Sequence, residues 1–247
     1  MPPPDPSTPG SPTPSGYAPT AAGSAAWADG VTRRFDSASG PVVAVDRVDV
    51  QIPRHQLTVI AGPSGSGKST LLGLLACMDR PDEGQVWLDG QELTGLSRRR
   101  RRHLRRARVG IVLPQPSDNL LDRLDADANL AWSARQRGAT GGRTAQERIA
   151  LLSTVGLAAD LTARRVRQLS GGEQQRLALA CAIVGDPLLV VADEPTASLD
   201  RASADQVVDV LRAAADRGVT LVVAGHDRRV IDAADHVVEL DHGRRVS

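Results

Sequence analysis

The sequence contains no apolar run that approaches the roughly 20 residues of a membrane-spanning helix. Its N-terminus also lacks a basic segment followed by an apolar one, which is the pattern of a secretory signal. Together these two absences predict a chain that stays in the cytoplasm and contributes no membrane segment of its own.

Cysteine is scarce, with Cys77 and Cys181 as the two examples in 247 residues. A disulfide framework or a structural zinc site requires more cysteines at closer spacing. Both residues lie in apolar segments whose pattern predicts helix. We therefore expect two buried free thiols.

Neither sign of charge is in excess. Thirty basic residues against 29 acidic ones leave a formal net charge of +1, so there is no overall attraction to nucleic acid or to an anionic membrane. No nucleic-acid partner is expected.

Lysine is almost absent, since Lys68 is the only lysine and every other basic residue is arginine.

The composition that is present is that of an ordinary folded protein. Apolar residues make up 41% and charged residues 24% of the chain, which suits one large α/β domain or two small ones. Residues 1–29 are dominated by Pro, Ser, Thr, Gly and Ala, and such a segment cannot bury enough apolar surface to offset its ordering entropy. We expect a disordered tail over 1–29 and a folded domain over 30–247.

Strand and helix patterns alternate along the folded part. Strands are predicted over 42–50, 57–61, 85–88, 109–113, 188–192, 219–224 and 236–240. Helical patterns between most of them imply a mainly parallel sheet with helices on its faces. Residues 97–167 carry amphipathic patterns and one good strand, which predicts a mostly helical subdomain inserted into the sheet domain.

A glycine-rich segment between a predicted strand and a helix predicted over 68–78 fits G-x-x-x-x-G-K-[ST]. Its glycines let backbone N–H groups surround phosphates, and Ser69 offers a hydroxyl to Mg²⁺. Lys68 suits the β- and γ-phosphates, where a planar guanidinium would not fit. The alternative is a Gly/Ser-rich turn with an incidental lysine. The predicted ATP-binding residues are Gly62, Pro63, Ser64, Gly65, Ser66, Gly67, Lys68, Ser69 and Thr70.

Two carboxylates, Asp193 and Glu194, end the apolar strand predicted over 188–192. They emerge at the carboxyl edge of the sheet, where ligands bind in open α/β folds. Asp193 is suited to hold Mg²⁺ through water, and Glu194 to orient and polarise the water that attacks the γ-phosphate. A solvated pair of loop residues is the alternative when the two are taken alone.

The run L-S-G-G-E-Q-Q-R at 169–176 lies just upstream of this strand, and with it the sequence resembles the ABC ATPase family. The phosphate loop, this signature run, the acidic strand, S-L-D at 198–200 and His226 follow in the family's order and spacing, over residues 31–246. The resemblance implies an α/β fold: a P-loop NTPase (RecA-like) core with an antiparallel β edge and an inserted helical subdomain. It also implies ATP hydrolysis.

The resemblance further implies a head-to-tail homodimer with two ATP molecules sandwiched at the interface. The signature segment Ser170, Gly171 and Gly172 of one protomer would then contact the γ-phosphate held by the other, as a helix N-terminus with free N–H groups suits an anion. Asp200 belongs to the interface loop of the family. Exposed glycines in this motif have no evident role in the hydrophobic core, so we expect them to bind phosphate.

Two further residues stand at family positions. Phe35, the only phenylalanine, lies where an aromatic ring stacks on adenine, although a lone aromatic at a strand start is otherwise usually core. His226 resembles the histidine that senses the γ-phosphate, with a surface histidine as the alternative.

The sequence departs from the family at the glutamine that couples Mg²⁺ to the membrane partner. Counting from Gly110, its usual position falls on Pro114, and Gln115 comes one residue late. Proline on both sides restricts the backbone around Gln115. Gln115 is the candidate for this catalytic and metal-binding role, and a bulge would be needed to restore the register.

Residues 98–108 hold eight arginines in eleven positions. A solvated helix face is the favoured interpretation, and a patch for nucleic acid or lipid headgroups is the alternative.

Segments 71–90 and 192–196 look most like the ABC subgroup that serves lipoprotein release, macrolide efflux and cell-division permeases. This resemblance implies a subunit on the inner face of the membrane that powers a separate integral membrane permease. A non-transport ABC protein acting on ribosomes or DNA is disfavoured, because the chain has one cassette, no sustained heptads and no cysteine-rich module. A regulator without turnover is disfavoured by Glu194 and His226.

Overall fold

The computed structural model describes residues 23–38, 40–138 and 144–246. Its strands, in chain order, are β1 (Ser24–Ser37), β2 (Gly40–Pro53), β3 (Leu57–Ala61), β4 (Glu83–Leu88), β5 (Gln91–Glu92), β6 (Val109–Val112), β7 (Leu189–Asp193), β8 (Leu221–Gly225), β9 (His236–Asp241) and β10 (Arg244–Arg245). Its α-helices are α1 (Lys68–Leu75), α2 (Arg98–Arg108), α3 (Ala126–Gln136), α4 (Ala145–Thr154), α5 (Gly171–Ile183), α6 (Arg201–Asp216) and α7 (Arg228–Asp232).

The strands form two sheets. The larger has the order β10-β9-β3-β8-β7-β6, and its five strands from β9 to β6 run parallel. The smaller is antiparallel, in the order β2-β1-β4-β5. The predicted parallel core with an antiparallel β edge is confirmed.

Strands β3, β7 and β8 of the larger sheet are buried on both faces, which is why they read as continuous apolar runs. Successive residues of a strand point to opposite faces. Val59 accordingly packs in the apolar cluster that includes α5 and α6, while Ile60 packs in the cluster that includes α1 and the antiparallel sheet. Val223 and Val222 in β8 divide between the same two clusters.

Strand β1 is not among the strands predicted from the sequence, the first of which begins at residue 42. Residues 24–29 belong to it, so the predicted tail boundary at residue 29 is wrong, and residues 1–22 lie outside the described part of the chain. Ala25, Ala26 and Ala28 are buried, and the Trp27 ring stacks on Trp87 of β4 with 5.3 Å between centroids. Their small side chains resemble a low-complexity tail in sequence, yet they fill a narrow space in the antiparallel sheet.

The segment predicted as a helical subdomain, 97–167, contributes one strand to the main sheet. β6 is its edge strand and pairs with β7, while α3 and α4 lie between β6 and α5 in the sequence. Leu130 of α3 and Leu152 of α4 belong to the same apolar cluster as the main sheet's β7 and β8. The two helices therefore share the core of the sheet domain.

The two cysteines are free and buried, as expected. Cys181 lies in α5, but the prediction of helix is wrong for Cys77, which follows the end of α1 with φ of +58°. There the Met78 N–H donates to the Gly73 carbonyl at 2.9 Å and the Cys77 N–H to the Leu74 carbonyl at 3.2 Å, a Schellman end. Burial raises the pKa of Cys77 to about 11 and that of Cys181 to about 12, so both are protonated thiols at neutral pH.

Within the described residues, no helix is both long enough and apolar enough to cross a membrane.

Candidate functional site

The glycine-rich loop connects β3 to α1, and close contacts dictate its glycines. Gly62 has φ of +151° and Gly67 has φ of +98°, values that favour glycine. A Cβ at Gly62 would collide with the Leu240 carbonyl, and one at Gly67 with the Ala44 carbonyl. The loop is therefore held between β9 and β2 with a backbone that other residues would distort.

Lys68 lies inside this loop with a side chain only 6% exposed. Its Nζ donates to the carbonyls of Gly62 at 3.0 Å and Pro63 at 2.9 Å, and lies 3.6 Å from Glu194 Oε1. The loop thus encloses a buried cation whose nearest carboxylate comes from a different strand end.

The other loop residues differ in exposure. Ser64 and Gly65 are exposed, and Gly65 also has a positive φ of +79°. Ser66 is buried, its N–H donates to the Pro63 carbonyl at 3.2 Å, and its hydroxyl has no hydrogen-bond partner among the described residues. Thr70 is half-buried within the first turn of α1.

The Ser69 hydroxyl and Asp193 bring two oxygens together. Ser69 Oγ donates to Asp193 Oδ1 at 3.0 Å. Burial is the main reason that the pKa of Asp193 is raised, and the charge of Glu194 adds to it, while Ser69 and Lys68 act in the opposite direction. A second cation at this point would relieve the cost of keeping Asp193 ionised.

Glu194 is held in an unusual backbone conformation, with φ of +45°. A left-handed conformation costs a residue with a side chain about 1 kcal/mol or more. Backbone hydrogen bonds hold it there, since the Glu194 N–H donates to the Ala224 carbonyl at 2.8 Å and its carbonyl accepts from Ala197 at 3.1 Å. The turn aims the carboxylate at the loop rather than along β7.

His226 follows β8 and completes this group. Its Nδ1 lies 3.2 Å from Glu194 Oε1, and its side chain is 69% exposed. The same carboxylate oxygen therefore lies between a buried lysine and a solvent-facing imidazole. The fold brings Lys68, Ser69, Asp193, Glu194 and His226 to the carboxyl ends of β3, β7 and β8.

The signature segment lies at the N-terminus of α5. The Ser170 hydroxyl accepts from the Glu173 N–H at 3.3 Å, and the Glu173 carboxylate accepts from the Ser170 N–H at 2.7 Å, which forms a capping box. Ser170 and Gly171 are exposed, as a ligand-facing segment requires.

Gly172 corrects the expectation that these glycines are not core residues. It is buried, and a Cβ there would lie 2.7 Å from Ser203 Cβ on α6. Asp200 caps α6, accepting from the Ser203 N–H at 3.0 Å and from the Ser203 hydroxyl at 2.7 Å. The absent side chain of Gly172 thus allows the N-termini of α5 and α6 to approach each other. No hydrogen bond or ion pair among the described residues joins this segment to Lys68 or Glu194.

Phe35 and Gln115 lie apart from these contacts. Phe35 is 42% exposed on β1, and the Arg33 guanidinium lies 4.6 Å from the centroid of its ring, a partner that the sequence did not indicate. Gln115 is exposed and extended, with φ of −91°.

Asn119 is a residue near Gln115 that sequence reasoning missed. Its amide nitrogen donates to the carbonyls of Leu113 at 3.0 Å and Gln115 at 2.9 Å, and its Oδ1 accepts from the Leu113 N–H at 2.7 Å. One side chain thus fixes the turn that contains both prolines. A lone asparagine in a loop gives no signal of this in sequence.

Comparison with known proteins gives consistent matches. The sequence profile of a family described as "ABC transporter" matches residues 45–197, which include the glycine-rich loop, the signature segment and the carboxylate pair. An uncharacterized ABC transporter ATP-binding protein of Thermotoga maritima is 36% identical over 214 residues, covering 87% of this chain and 90% of that protein. The lipoprotein-releasing system ATP-binding protein LolD of Roseobacter denitrificans is 36% identical over 217 residues and is covered to 94%.

A macrolide export ATP-binding/permease protein, MacB, of Paracoccus denitrificans is 37% identical, but this chain spans only 32% of its length. Among solved structures, the ATP-binding cassette MJ0796, a dimer in a post-hydrolysis state bound to ADP and Pi, superimposes with a TM-score of 0.80 at 30% identity. That match covers 90% of this chain and 97% of the other.

Proposed function

The chain belongs to the ABC transporter family, and on that premise we propose that it is the ATP-hydrolysing subunit that drives a separate membrane permease. The observation that carries the proposal is the Glu194 carboxylate, which faces the Lys68 ammonium on one side and His226 on the other. A phosphate-binding cation and a base for water are the two groups that phosphoryl transfer to water requires.

The glycine-rich loop binds the phosphates of ATP. The loop encloses the Lys68 side chain, and bonds to phosphate oxygens replace its hydrogen bonds to the Gly62 and Pro63 carbonyls when the nucleotide enters. Charge-assisted bonds of this kind are stronger than bonds to neutral carbonyls. The N–H groups at the start of α1 add a favourable dipole.

The pair Ser69 and Asp193 fits Mg²⁺. Hydroxyl and carboxylate oxygens are the ligands that this ion prefers, and it usually retains water and phosphate oxygens as well. Among the described residues, no group of three or more His, Cys, Asp or Glu side chains could hold a metal alone, which suits an ion shared with the nucleotide. The bound ion would neutralise charge on the phosphate oxygens. Gln115 remains the candidate for a further ligand.

Glu194 acts as the base that orients the attacking water. Its Oε1 lies 3.6 Å from Lys68 Nζ, and a shift of the ammonium toward phosphate oxygens frees that oxygen for water. His226, 3.2 Å from the same oxygen, is placed to report on the γ-phosphate. The fixed left-handed turn at Glu194 keeps the carboxylate in position without a reorganisation step.

The complete site needs a second copy of the chain. Ser170 and Gly171 expose a capped helix N-terminus that has no bond to the loop of its own chain within the described residues. In the dimer, this segment of one protomer contacts the γ-phosphate held by the other, and Asp200 lies at the same interface. The similar cassette MJ0796 is a dimer.

The permease is a separate protein on the membrane. MacB relatives are named as joint ATP-binding/permease proteins, and this chain corresponds to about a third of their length. The LolD relative is named as an ATP-binding protein of a lipoprotein-releasing system, and the match covers 94% of its length. By this likeness the chain works at the cytoplasmic face, attached to the permease and powering export or mechanical work.

The adenine ring of ATP stacks on Phe35, on the face of the phenyl ring opposite the Arg33 guanidinium.

Glu194→Gln tests the catalytic proposal, because it keeps the side-chain shape but removes the base. We expect ATP hydrolysis to fall at least about a hundredfold while ATP binding is retained. Light scattering should then show monomer without nucleotide and dimer with ATP, since ATP binds the dimer alone. Glu92→Gln, a change of the same chemistry at an exposed strand position, should leave both unchanged.

Adding Ser170→Arg to Glu194→Gln should abolish the ATP-dependent dimer, because a bulky cation fills the phosphate contact. Ser170→Arg also removes a helix N-cap, which costs about 1 kcal/mol of stability. The control variant for this loss is Thr144→Arg, because Thr144 forms the same kind of capping box on α4. A Glu194→Gln protein that hydrolyses ATP at the normal rate, or stays monomeric with ATP at high protein concentration, contradicts the proposal.

A further inference from the structure

Helix α2 displays a concentration of positive charge on a chain that is otherwise acidic. Its eleven residues hold eight of the thirty basic side chains and no acid, which leaves 22 basic against 29 acidic residues elsewhere. We propose that the exposed arginines of α2, together with Trp132, form a binding surface for anionic lipid headgroups.

Four exposed arginines in the first turns of α2 lack acidic partners, whereas Arg108 at its end lies 3.8 Å from Asp89. Arg98, Arg99, Arg100 and Arg102 are exposed, and none forms an ion pair with a described residue. Arginines elsewhere in the fold commonly do form them, as with Arg148 and Asp127 at 2.6 Å. The charge on this face of α2 is therefore available to an external anion.

This arrangement opposes the stability of the helix itself. Arg98 and Arg102, one turn apart, repel each other and destabilise a helix by about 0.2–0.5 kcal/mol. The first turn contains no acid, so its cations also face the positive end of the helix dipole. Charge patterns that lower the stability of an element in this way are typical of functional positions.

Contacts on the other side of α2 hold the charged face in place. Ser97 caps the helix, Leu104 packs on the apolar cluster that contains α1, and Arg105 donates to the Cys77 carbonyl at 3.1 Å. Arg106 donates to the Gln136 amide oxygen at 2.6 Å, which ties α2 to α3. The arginines are thus presented by a fixed element rather than by a loop.

An exposed tryptophan beside Arg105 and Arg106, in the last turn of the same helix, favours a membrane surface over a polynucleotide. Trp132 is 42% exposed and lines a cavity of about 210 Å³ together with Arg105 and Arg106. Tryptophan and arginine are amphipathic side chains that suit the membrane interface, and guanidinium groups bind phosphate in a bidentate manner. The choice of lipid also rests on the proposed function, since a subunit attached to a permease stays near the cytoplasmic leaflet.

Vesicle flotation without ATP or permease tests this surface. The probe is a vesicle of phosphatidylcholine with about a third of phosphatidylglycerol, compared with phosphatidylcholine alone, at about 0.1 M salt, where the screening length is about 10 Å. The triple variant Arg98→Gln, Arg99→Gln and Arg102→Gln should partition onto anionic vesicles about a hundredfold more weakly, since each arginine near such a surface contributes about fivefold.

The matched control removes three exposed arginines elsewhere, as Arg80→Gln, Arg123→Gln and Arg217→Gln, with the same change in net charge. It should partition within about threefold of the unaltered protein. The α2 variant should melt no lower than the unaltered protein, because it relieves repulsion within the helix. If the α2 variant keeps its melting temperature but no longer partitions onto anionic vesicles, the loss is assigned to the arginine surface of α2.

Equal partition of the α2 variant and the unaltered protein would overturn the proposal, as would an equal loss in the control. Tighter binding to duplex DNA than to anionic vesicles at the same salt would overturn it in favour of a polynucleotide. Because ATP takes no part in the measurement, failure here leaves the hydrolysis experiment on Glu194 unaffected, and the reverse also holds.

Discussion

Gly172→Ala separates the packing role of the signature segment from its role toward phosphate. A Cβ at Gly172 would lie 2.7 Å from both Cβ and Oγ of Ser203, closer than carbon atoms pack. The same change at Gly171 meets nothing nearer than Leu199 Cδ2 at 3.8 Å, an ordinary contact. The two neighbouring glycines therefore make a matched pair.

Two opposing effects set the expected magnitude. Forcing one extra carbon into a tight contact costs about 1–3 kcal/mol, while alanine in a helix is favoured over glycine by about 0.5–1 kcal/mol. The net loss for Gly172→Ala is then about 0.5–2 kcal/mol. For a domain of this size that corresponds to a fall in melting temperature of about 1–8 °C.

The assay is thermal unfolding without nucleotide, so that phosphate contacts cannot contribute. Gly171→Ala should melt at or slightly above the temperature of the unaltered protein. In a double-mutant cycle, Ser203→Gly should restore about 1 kcal/mol to Gly172→Ala, because it removes the atoms in conflict. Equal melting temperatures for Gly172→Ala and Gly171→Ala would refute the proposed packing role. So would a Gly172→Ala protein whose stability does not rise when Ser203→Gly is added.

Three other changes give distinct outcomes. Lys68→Ala should weaken ATP binding at least about a hundredfold, because it removes the buried ammonium of the loop, and an unchanged calorimetric titration would refute that role. Gln115→Ala should slow turnover measured with the permease but spare ATP binding, whereas an unaltered rate would show that hydrolysis proceeds without it. Deleting residues 2–28 should lower the melting temperature by several degrees relative to deleting 2–22, because only the longer deletion removes buried Ala25–Ala28; equal melting would contradict the packing of β1.

Much of the site could be predicted from sequence because its signals are local. The loop from Gly62 to Lys68 must turn tightly between a strand and a helix, and that requirement is written as glycines at fixed spacing. β3 is predicted to the residue, since a five-residue apolar run bounded by polar positions has few other conformations. The parallel order of the sheet follows from the alternation of strands and helices.

Contacts between distant segments could not be predicted in this way. The alanines of β1 look like a tail until the strands β2 and β4 on either side of them are known. The packing role of Gly172 becomes visible only when α6 is placed beside it. The Arg33 guanidinium over Phe35 likewise depends on the side-chain arrangement along β1.

The phosphate loop, the carboxylate pair and the signature segment can be identified from the sequence alone, because each is a short pattern with its own backbone requirement. The distances of one Glu194 oxygen from Lys68, 3.6 Å, and from His226, 3.2 Å, depend on the folded arrangement. They arise because β3, β7 and β8 are parallel neighbours, so that residues far apart in the chain meet where those strands end. Distances of this kind depend on how strands pair and pack, and no local pattern encodes them.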